Sequence, residues 1–125
     1  MYSTVVDNTP IIQVAAGKYA ASYALDRSQM NPLEAFYACL AGCAAVYAKK
    51  SCKALGITAE GIEINCKPVA GTGGPLSLSK FKTEVKFPER FTPAQKAEIL
   101  DAISHCAVKE VVQDGPSIDF SVVEI

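Results

Sequence analysis

The sequence lacks the features that mark several large classes of protein. It has a single histidine, His105, and no Cys-x-x-Cys pair, whereas a structural zinc site usually needs four cysteine or histidine ligands in compact spacing. It also has no basic stretch, because 12 lysines and arginines are scattered among 13 acidic residues. We therefore expect no metal site and no nucleic-acid partner.

Long hydrophobic runs are absent as well. The most apolar stretch, residues 33–48, is 16 residues long and contains Glu34, which is short of the roughly 18–20 residues that a membrane span needs. The first ten residues lack the basic head and the apolar run of a signal peptide. The sequence therefore predicts a soluble, cytoplasmic protein without a membrane partner.

The composition that remains is typical of a packed core. Half of the 125 residues are hydrophobic and 20% are charged, so we predict one domain spanning residues 1–125. An odd number of cysteines without a secretion signal favours free or redox-active thiols over a static disulfide framework. The five cysteines are Cys39, Cys43, Cys52, Cys66 and Cys106.

Residue patterns predict a mixed α+β order. Residues 10–16 and 18–25 are predicted as strands around Gly17. Asn31 as N-cap, with a proline at N1 and Glu34 at N3, predicts a helix that runs to about residue 54.

The second half repeats this logic. Thr92 as N-cap predicts a second helix, with a break at His105 and Cys106 and a shorter helix through residue 112. The remaining predictions are strands over residues 57–69, 76–87 and 118–125, with a turn at residues 70–75.

The first helix is apolar nearly all round rather than along one stripe. A helix that faces solvent needs a polar face, so this one must be buried on most sides. A chain of 125 residues has few elements with which to cover it. We therefore expect an obligate homodimer.

Two cysteines lie far apart in settings that suit thiol chemistry. A reactive pair needs an attacking thiolate and a resolving thiol that folding brings together. Cys43 lies in the long helix, and Cys106 opens a short helix whose free N–H groups favour a thiolate. As an alternative, these thiols are small core residues, as free cysteines often are. His105 is a candidate base, but neighbours on a helix point about 100° apart, which favours a capping or surface role.

The sequence resembles the OsmC/Ohr family, the osmotically inducible and organic hydroperoxide resistance proteins. Asn31-Pro-Leu-Glu followed by Ala-Gly-Cys43-Ala resembles the family's helix with its first cysteine. Ser104-His-Cys106-Ala-Val resembles its second-cysteine motif, with Ala107 where a proline commonly stands. Together, the two motifs at this spacing are fairly specific.

The resemblance implies an intertwined α+β homodimer, in which antiparallel sheets cover long central helices and the active sites lie at the subunit interface. It also implies a thiol peroxidase that reduces organic hydroperoxides in oxidative-stress defence. Cys43 would become a sulfenic acid, Cys106 would resolve it to a disulfide, and an external dithiol would restore both. This cycle needs no metal or organic cofactor.

The sequence departs from the family at the residues that assist the first cysteine. The hydroperoxidases have a glutamate ten residues before that cysteine, paired with an arginine from an early strand, but here Leu33 stands at the glutamate position. Glu34 lies on the opposite side of the helix from Cys43, about 13 Å along it. The candidate auxiliary residues are therefore Glu34, Arg27, Lys18 and Cys39, and we expect a slow peroxidase.

A second hypothesis is a binding module without catalysis. In it, the dimer holds an apolar ligand in an interfacial cleft. Four residues of the first helix would line that cleft: Phe36, Tyr37, Leu40 and Tyr47.

Overall fold

The computed structural model describes residues 1–73 and 78–123, in which three helices and four strands confirm the α+β class. The elements in chain order are β1 (Ile11–Ala16), β2 (Tyr19–Ala24), α1 (Pro32–Leu55), β3 (Glu63–Ala70), β4 (Leu78–Lys86), α2 (Pro93–Ser104) and α3 (Ala107–Asp114). β1 pairs with β2 and β3 pairs with β4, which gives two two-stranded sheets in these residues.

Two compact units share these elements. One consists of Met1–Cys39 with Lys67–Phe81, and the other of Leu40–Cys66 with Lys82–Ile125. The expectation of a single domain over residues 1–125 stays a prediction.

The first unit contains an antiparallel hairpin. The register runs from Ile11 opposite Ala24 to Ala16 opposite Tyr19. Gly17 adopts a φ of 60° in the connecting turn, where a side chain would be strained. The predicted pair of strands is therefore confirmed to within one residue at each end.

The start of α1 is fixed by the capping box that the sequence predicts. The Glu34 backbone N–H donates to Asn31 Oδ1 over 2.9 Å, and the Asn31 N–H donates to Glu34 Oε1 over 3.1 Å. Two backbone donors that the helix leaves free are satisfied in this way. At the other end, Gly56 in the left-handed region (φ 70°) follows the last helical residue.

The second unit is built around one buried stripe of α1. Leu40, Ala44, Ala48 and Cys52 recur every four residues, which places them on one face of the helix. Three of them form a core cluster with Phe91 and two residues of α2; the members are Ala44, Ala48, Cys52, Phe91, Ile99 and Ile103. This cluster positions α2 against α1.

β3 begins at residue 63 rather than at the predicted residue 57. Residues 57–62 form an irregular connection with Gly61 at a φ of 86°. The Arg90 guanidinium donates to the carbonyl oxygens of Thr58 and Glu60. These two carbonyls therefore bind a side chain instead of a neighbouring strand. The alternation of apolar residues, from which the strand was predicted, gave no sign of the Arg90 contacts.

The predicted terminal strand is wrong over residues 118–123, which are irregular. Ile118 is 76% exposed and Phe120 is 93% exposed. A strand needs a neighbour for its backbone hydrogen bonds, and within the described chain this segment has none. Residues 124–125, like residues 74–77 of the predicted turn and strand, lie outside the described residues.

Much of the apolar surface of α1 is uncovered in the single chain. Leu33, Phe36 and Val46 are exposed, although they belong to the run that the sequence predicts to be buried. In the part of the chain that the structure describes, no helix is both long and apolar enough to cross a membrane.

Candidate active site

Cys106 lies at a bend between two helices. α2 ends at Ser104, and the His105 N–H closes it by donating to the carbonyls of Ala102 and Ile103. Cys106 then has an extended backbone (φ −65°, ψ 146°) and is the N-cap of α3. The helix is interrupted at the residues that the sequence predicts, and Cys106 lies at this interruption.

The Cys106 thiol is buried and receives a hydrogen bond from its own helix. Its residue is only 3% exposed, and its Sγ accepts from the Lys109 backbone N–H over 3.4 Å. Lys109 stands at N3, where an N-cap side chain normally binds. Sequence reasoning missed Lys109, although the N-cap position predicted for Cys106 already indicates residue N3 as its partner.

Folding brings Cys43 to Cys106. Cys43 lies in the fourth turn of α1 and is half-buried, and its side chain lies close enough to the Cys106 thiol to raise the pKa of that thiol. All five cysteines are free thiols in this structure. Two cysteines separated by 62 residues in the sequence are therefore close to each other in the second unit.

Burial is the main cause that raises the pKa of the Cys106 thiol. The Lys109 backbone N–H opposes it, the nearby Cys43 thiol adds to it, and the charge of the Lys109 ammonium lowers it. The uncharged form of Cys106 is therefore favoured. Cys43 is the more exposed of the two thiols.

His105 does not face either thiol. Its Nδ1 lies 3.4 Å from Glu110 Oε1, and its Nε2 lies 3.8 Å from Asp101 Oδ1. Both ring nitrogens are therefore directed at carboxylates, and the candidate role as a base for Cys106 has no geometric support.

The candidate auxiliary residues lie in the first unit, where Glu34 and Lys18 have local partners. Glu34 caps α1 through Asn31, as described above. Arg27 adopts a φ of 69°, and with Glu34 it lines a cavity of about 510 Å³. Lys18 Nζ lies 5.2 Å from the centre of the Tyr19 ring, and Cys39 is an exposed thiol on α1.

The four predicted binding residues divide into two groups. Phe36 and Tyr37 form an aromatic cluster with Phe81, with ring centres 5.7 to 6.1 Å apart. Leu40 is buried in the second unit, and Tyr47 lies half-buried beneath the ammonium of Lys50, which is 5.1 Å from the ring centre. Among the described residues, no group of three or more His, Cys, Asp or Glu side chains is arranged to hold a metal ion.

Comparisons with known proteins agree on one family. The sequence model for OsmC-like proteins matches residues 25–121. Among solved structures, an OsmC-like protein from Mycoplasma pneumoniae matches with a TM-score of 0.71 and 16% identity, covering 92% of this chain and 87% of its own. No curated protein matches the sequence.

A second solved structure has the same fold. It is a protein from Psychrobacter arcticus named for osmotic-stress induction and a detoxification response. It matches with a TM-score of 0.69 and 11% identity, covering 87% of this chain and 85% of its own. At such identities, the two structures are evidence for the fold alone.

Proposed function

The chain belongs to the OsmC-like protein family, and from that premise we propose that it is a cysteine-based thiol peroxidase that reduces organic hydroperoxides. One observation carries the proposal. A half-buried thiol on α1, Cys43, lies close enough to a buried thiol at the α2–α3 bend, Cys106, to raise the pKa of that thiol. Defence against oxidative stress is the role that this chemistry would serve.

The first step of the proposed cycle uses Cys43. Its thiolate attacks the outer oxygen of the hydroperoxide, the O–O bond breaks, and the alkoxide leaves and takes up a proton as the alcohol. The sulfur gains the outer oxygen and becomes a sulfenic acid. Cys43 takes this role because it is the less buried of the two thiols.

The second step uses Cys106. Its sulfur attacks the sulfenic sulfur, a disulfide forms, and one water leaves. A protonated thiol beside Cys43 can supply the proton that this water needs. An external dithiol then reduces the disulfide and is itself oxidised. The cycle balances without a metal or an organic cofactor.

The departures from the family's charge pattern set the expected rate. Leu33 is an exposed apolar side chain, and it cannot orient a cation as a glutamate would. Arg27 and Lys18 lie in the first unit, in the surroundings described above. Since a cation near a cysteine favours the reactive thiolate, a chain without this pair should be a slow peroxidase.

A homodimer belongs to the same proposal. Within one chain, only one stripe of α1 is buried, and Leu33, Phe36 and Val46 remain exposed. A Cβ added at Gly42, beside Cys43, would meet no atom within 4 Å, which leaves room there for a second subunit or a ligand. A folded monomer at micromolar concentration in analytical ultracentrifugation would contradict the dimer.

The aromatic cluster supports a second candidate function. Phe36, Tyr37 and Phe81 present apolar rings in the first unit, and Phe36 is partly exposed. Such a surface suits an apolar ligand. A dimer that binds such a ligand without redox chemistry is therefore the alternative.

Thiol titration separates the two functions. The reduced protein is treated with one equivalent of cumene hydroperoxide, and free thiols are counted before and after. The peroxidase loses two thiols per chain, and mass spectrometry then finds the disulfide between Cys43 and Cys106. A binding module loses none. Cys52→Ala serves as the control, because that thiol lies in the core cluster away from both.

A further inference from the structure

One histidine bridges the two helices that meet at Cys106. The partners of His105 are Asp101, in the last turn of α2, and Glu110, in the first turn of α3. The ring therefore joins carboxylates from both sides of the bend. We call this arrangement the Asp101–His105–Glu110 clasp.

The clasp matters because little else holds α3. No residue of α3 is buried, so core packing does not fix the helix. Its start is held by the Cys106 cap on Lys109 and by the backbone bond from the Cys106 N–H to the Ile103 carbonyl, 3.1 Å long. A side chain that ties α3 to α2 therefore influences where Cys106 lies.

The clasp places a carboxylate near each nitrogen of the ring. The Nδ1–Glu110 Oε1 distance of 3.4 Å is within hydrogen-bond reach, whereas the Nε2–Asp101 Oδ1 distance of 3.8 Å is an ion-pair separation without a hydrogen bond. The two contacts together link α2 to α3 through one side chain.

The other charged groups around the ring do not alter this conclusion. Lys109 Nζ lies 3.9 Å from Glu110 Oε1, so it shares that carboxylate with His105. Within the described residues, Asp101 forms an ion pair with no residue other than His105. The remaining titratable group at the bend is the Cys106 thiol, which is protonated at neutral pH because burial raises its pKa.

We propose that His105 is a positioning residue for the resolving thiol: the clasp holds Cys106 against Cys43. The inference rests on the proposed function for the role of Cys106 as resolver. His105 is not a catalytic residue here, because both of its nitrogens are directed at carboxylates rather than at sulfur.

The test uses disulfide formation without peroxide. In a glutathione buffer, Cys43 attacks oxidised glutathione and releases one glutathione thiol, and Cys106 then displaces the second and completes the protein disulfide. The fraction of Cys43–Cys106 disulfide at equilibrium, measured by acid trapping and mass spectrometry, reports how well the two thiols are held together. Ratios between variants at one pH cancel the titration of the thiols themselves.

Two substitutions separate charge from shape. His105→Gln keeps a polar side chain that cannot carry a charge, and it should lower the equilibrium constant roughly 3-fold, as expected for exposed ion pairs. His105→Lys places a cation at this position, and it should recover most of the wild-type value. Asp114→Asn, an acidic residue at the end of α3, is the matched control and should change nothing.

A wild-type ratio for His105→Gln, or a lysine variant that behaves like the glutamine variant, would overturn the clasp. Glu110→Gln provides a second test, because it removes one carboxylate and should show a smaller loss. Failure of the proposed function looks different. In that case Cys43 forms no sulfenic acid with hydroperoxide in any variant, while the glutathione ratios still depend on His105.

Discussion

Cys52 and Cys106, two thiols of the second unit, are buried from solvent to a similar degree but have different neighbouring groups. Cys52 is 1% exposed and Cys106 is 3% exposed, and burial is the main cause that raises the pKa of each. Cys52 packs in the core cluster among side chains such as Ala48 and Ile99, and the charge of Arg90 is the one opposing influence on its pKa. Cys106 has a helix N–H on its sulfur and a second thiol beside it.

The comparison shows that burial alone does not make a thiol site. A thiol in an apolar core is held in its neutral form and has nothing to react with. Cys43 and Cys52 even share one helix, but nine residues at 100° each place them on opposite sides of α1. On one side of α1, Cys52 packs in the core cluster. On the other side, Cys43 lies close to a second thiol, Cys106.

Cys43→Ser should give the largest effect. A serine hydroxyl is not appreciably ionised at neutral pH and is the weaker nucleophile, so peroxide consumption should fall to the rate of a sample without protein. Cys52→Ala is the matched variant on the same helix, and it should keep the wild-type rate. The ferrous–xylenol orange assay for residual hydroperoxide measures both. Equal losses in the two variants would break the comparison.

Cys106→Ser should stop the cycle after one turnover. The sulfenic acid on Cys43 then has no resolving thiol, so dimedone should trap it there. Serine is a favoured N-cap, so α3 should keep its start in this variant. Dimedone on Cys106 in the wild type, with none on Cys43 in the variant, would reverse the assigned roles.

Cys106→Ala separates the cap from the chemistry. It also stops turnover, but it leaves the Lys109 N–H without its acceptor. Loss of an N-cap side chain costs about 0.5–2 kcal/mol, and sulfur is a weaker acceptor than oxygen. We therefore expect a loss toward the lower end of that range, measured by urea unfolding against Cys106→Ser.

Cys52→Ser should reduce stability and spare turnover. The described residues contain no buried side-chain nitrogen or oxygen without a hydrogen-bond partner, and a serine hydroxyl at this position would be the first. A buried hydroxyl without a hydrogen-bond partner lowers the free energy of unfolding by about 1–3 kcal/mol. The free energy of unfolding should fall by that amount, seen as a lower urea midpoint at an unchanged m-value, and the loss should be smaller for Cys52→Ala. A stable but inactive Cys52→Ser would show that this thiol belongs to the site.

The sequence predicted the parts of the fold that local chemistry decides. The capping boxes at Asn31 and Thr92 are confirmed, and so is the break at His105 and Cys106, because each depends on side chains within three residues of the backbone they bind. The strand predicted over residues 118–125 failed over 118–123 because alternation cannot provide a pairing partner. For the same reason, a long-range partner such as Arg90 was not foreseen at the start of β3.

The sequence likewise predicted only part of the thiol site. Residue types and helix position indicated Cys43 and Cys106 as candidates, but their pairing followed from the family resemblance, because sequence spacing cannot bring residues from α1 and the α2–α3 bend together. The clasp was missed for a related reason. Asp101 and His105 are four residues apart on a helix, which is a readable signal, whereas Glu110 reaches the ring only because the chain bends at Cys106.

The smallest expected effect is a dependence of stability on alkaline pH, and it returns to the two buried thiols. Burial raises the pKa of both Cys52 and Cys106 above that of a thiol in the unfolded chain, so folding favours their neutral forms. That stability is fully present below the pKa of the unfolded thiol and is lost as the pH rises toward the higher folded value. Urea unfolding at pH 7.5 and pH 9.5 should show the loss in the wild type.

Removing either thiol should make that loss smaller. Cys52→Ala and Cys106→Ser each delete one group that resists ionisation, and the other titratable groups are common to all three proteins. We therefore expect the stability of each variant to depend on pH less than that of the wild type. An unchanged dependence in either variant would mean that burial does not hold the deleted thiol in its neutral form.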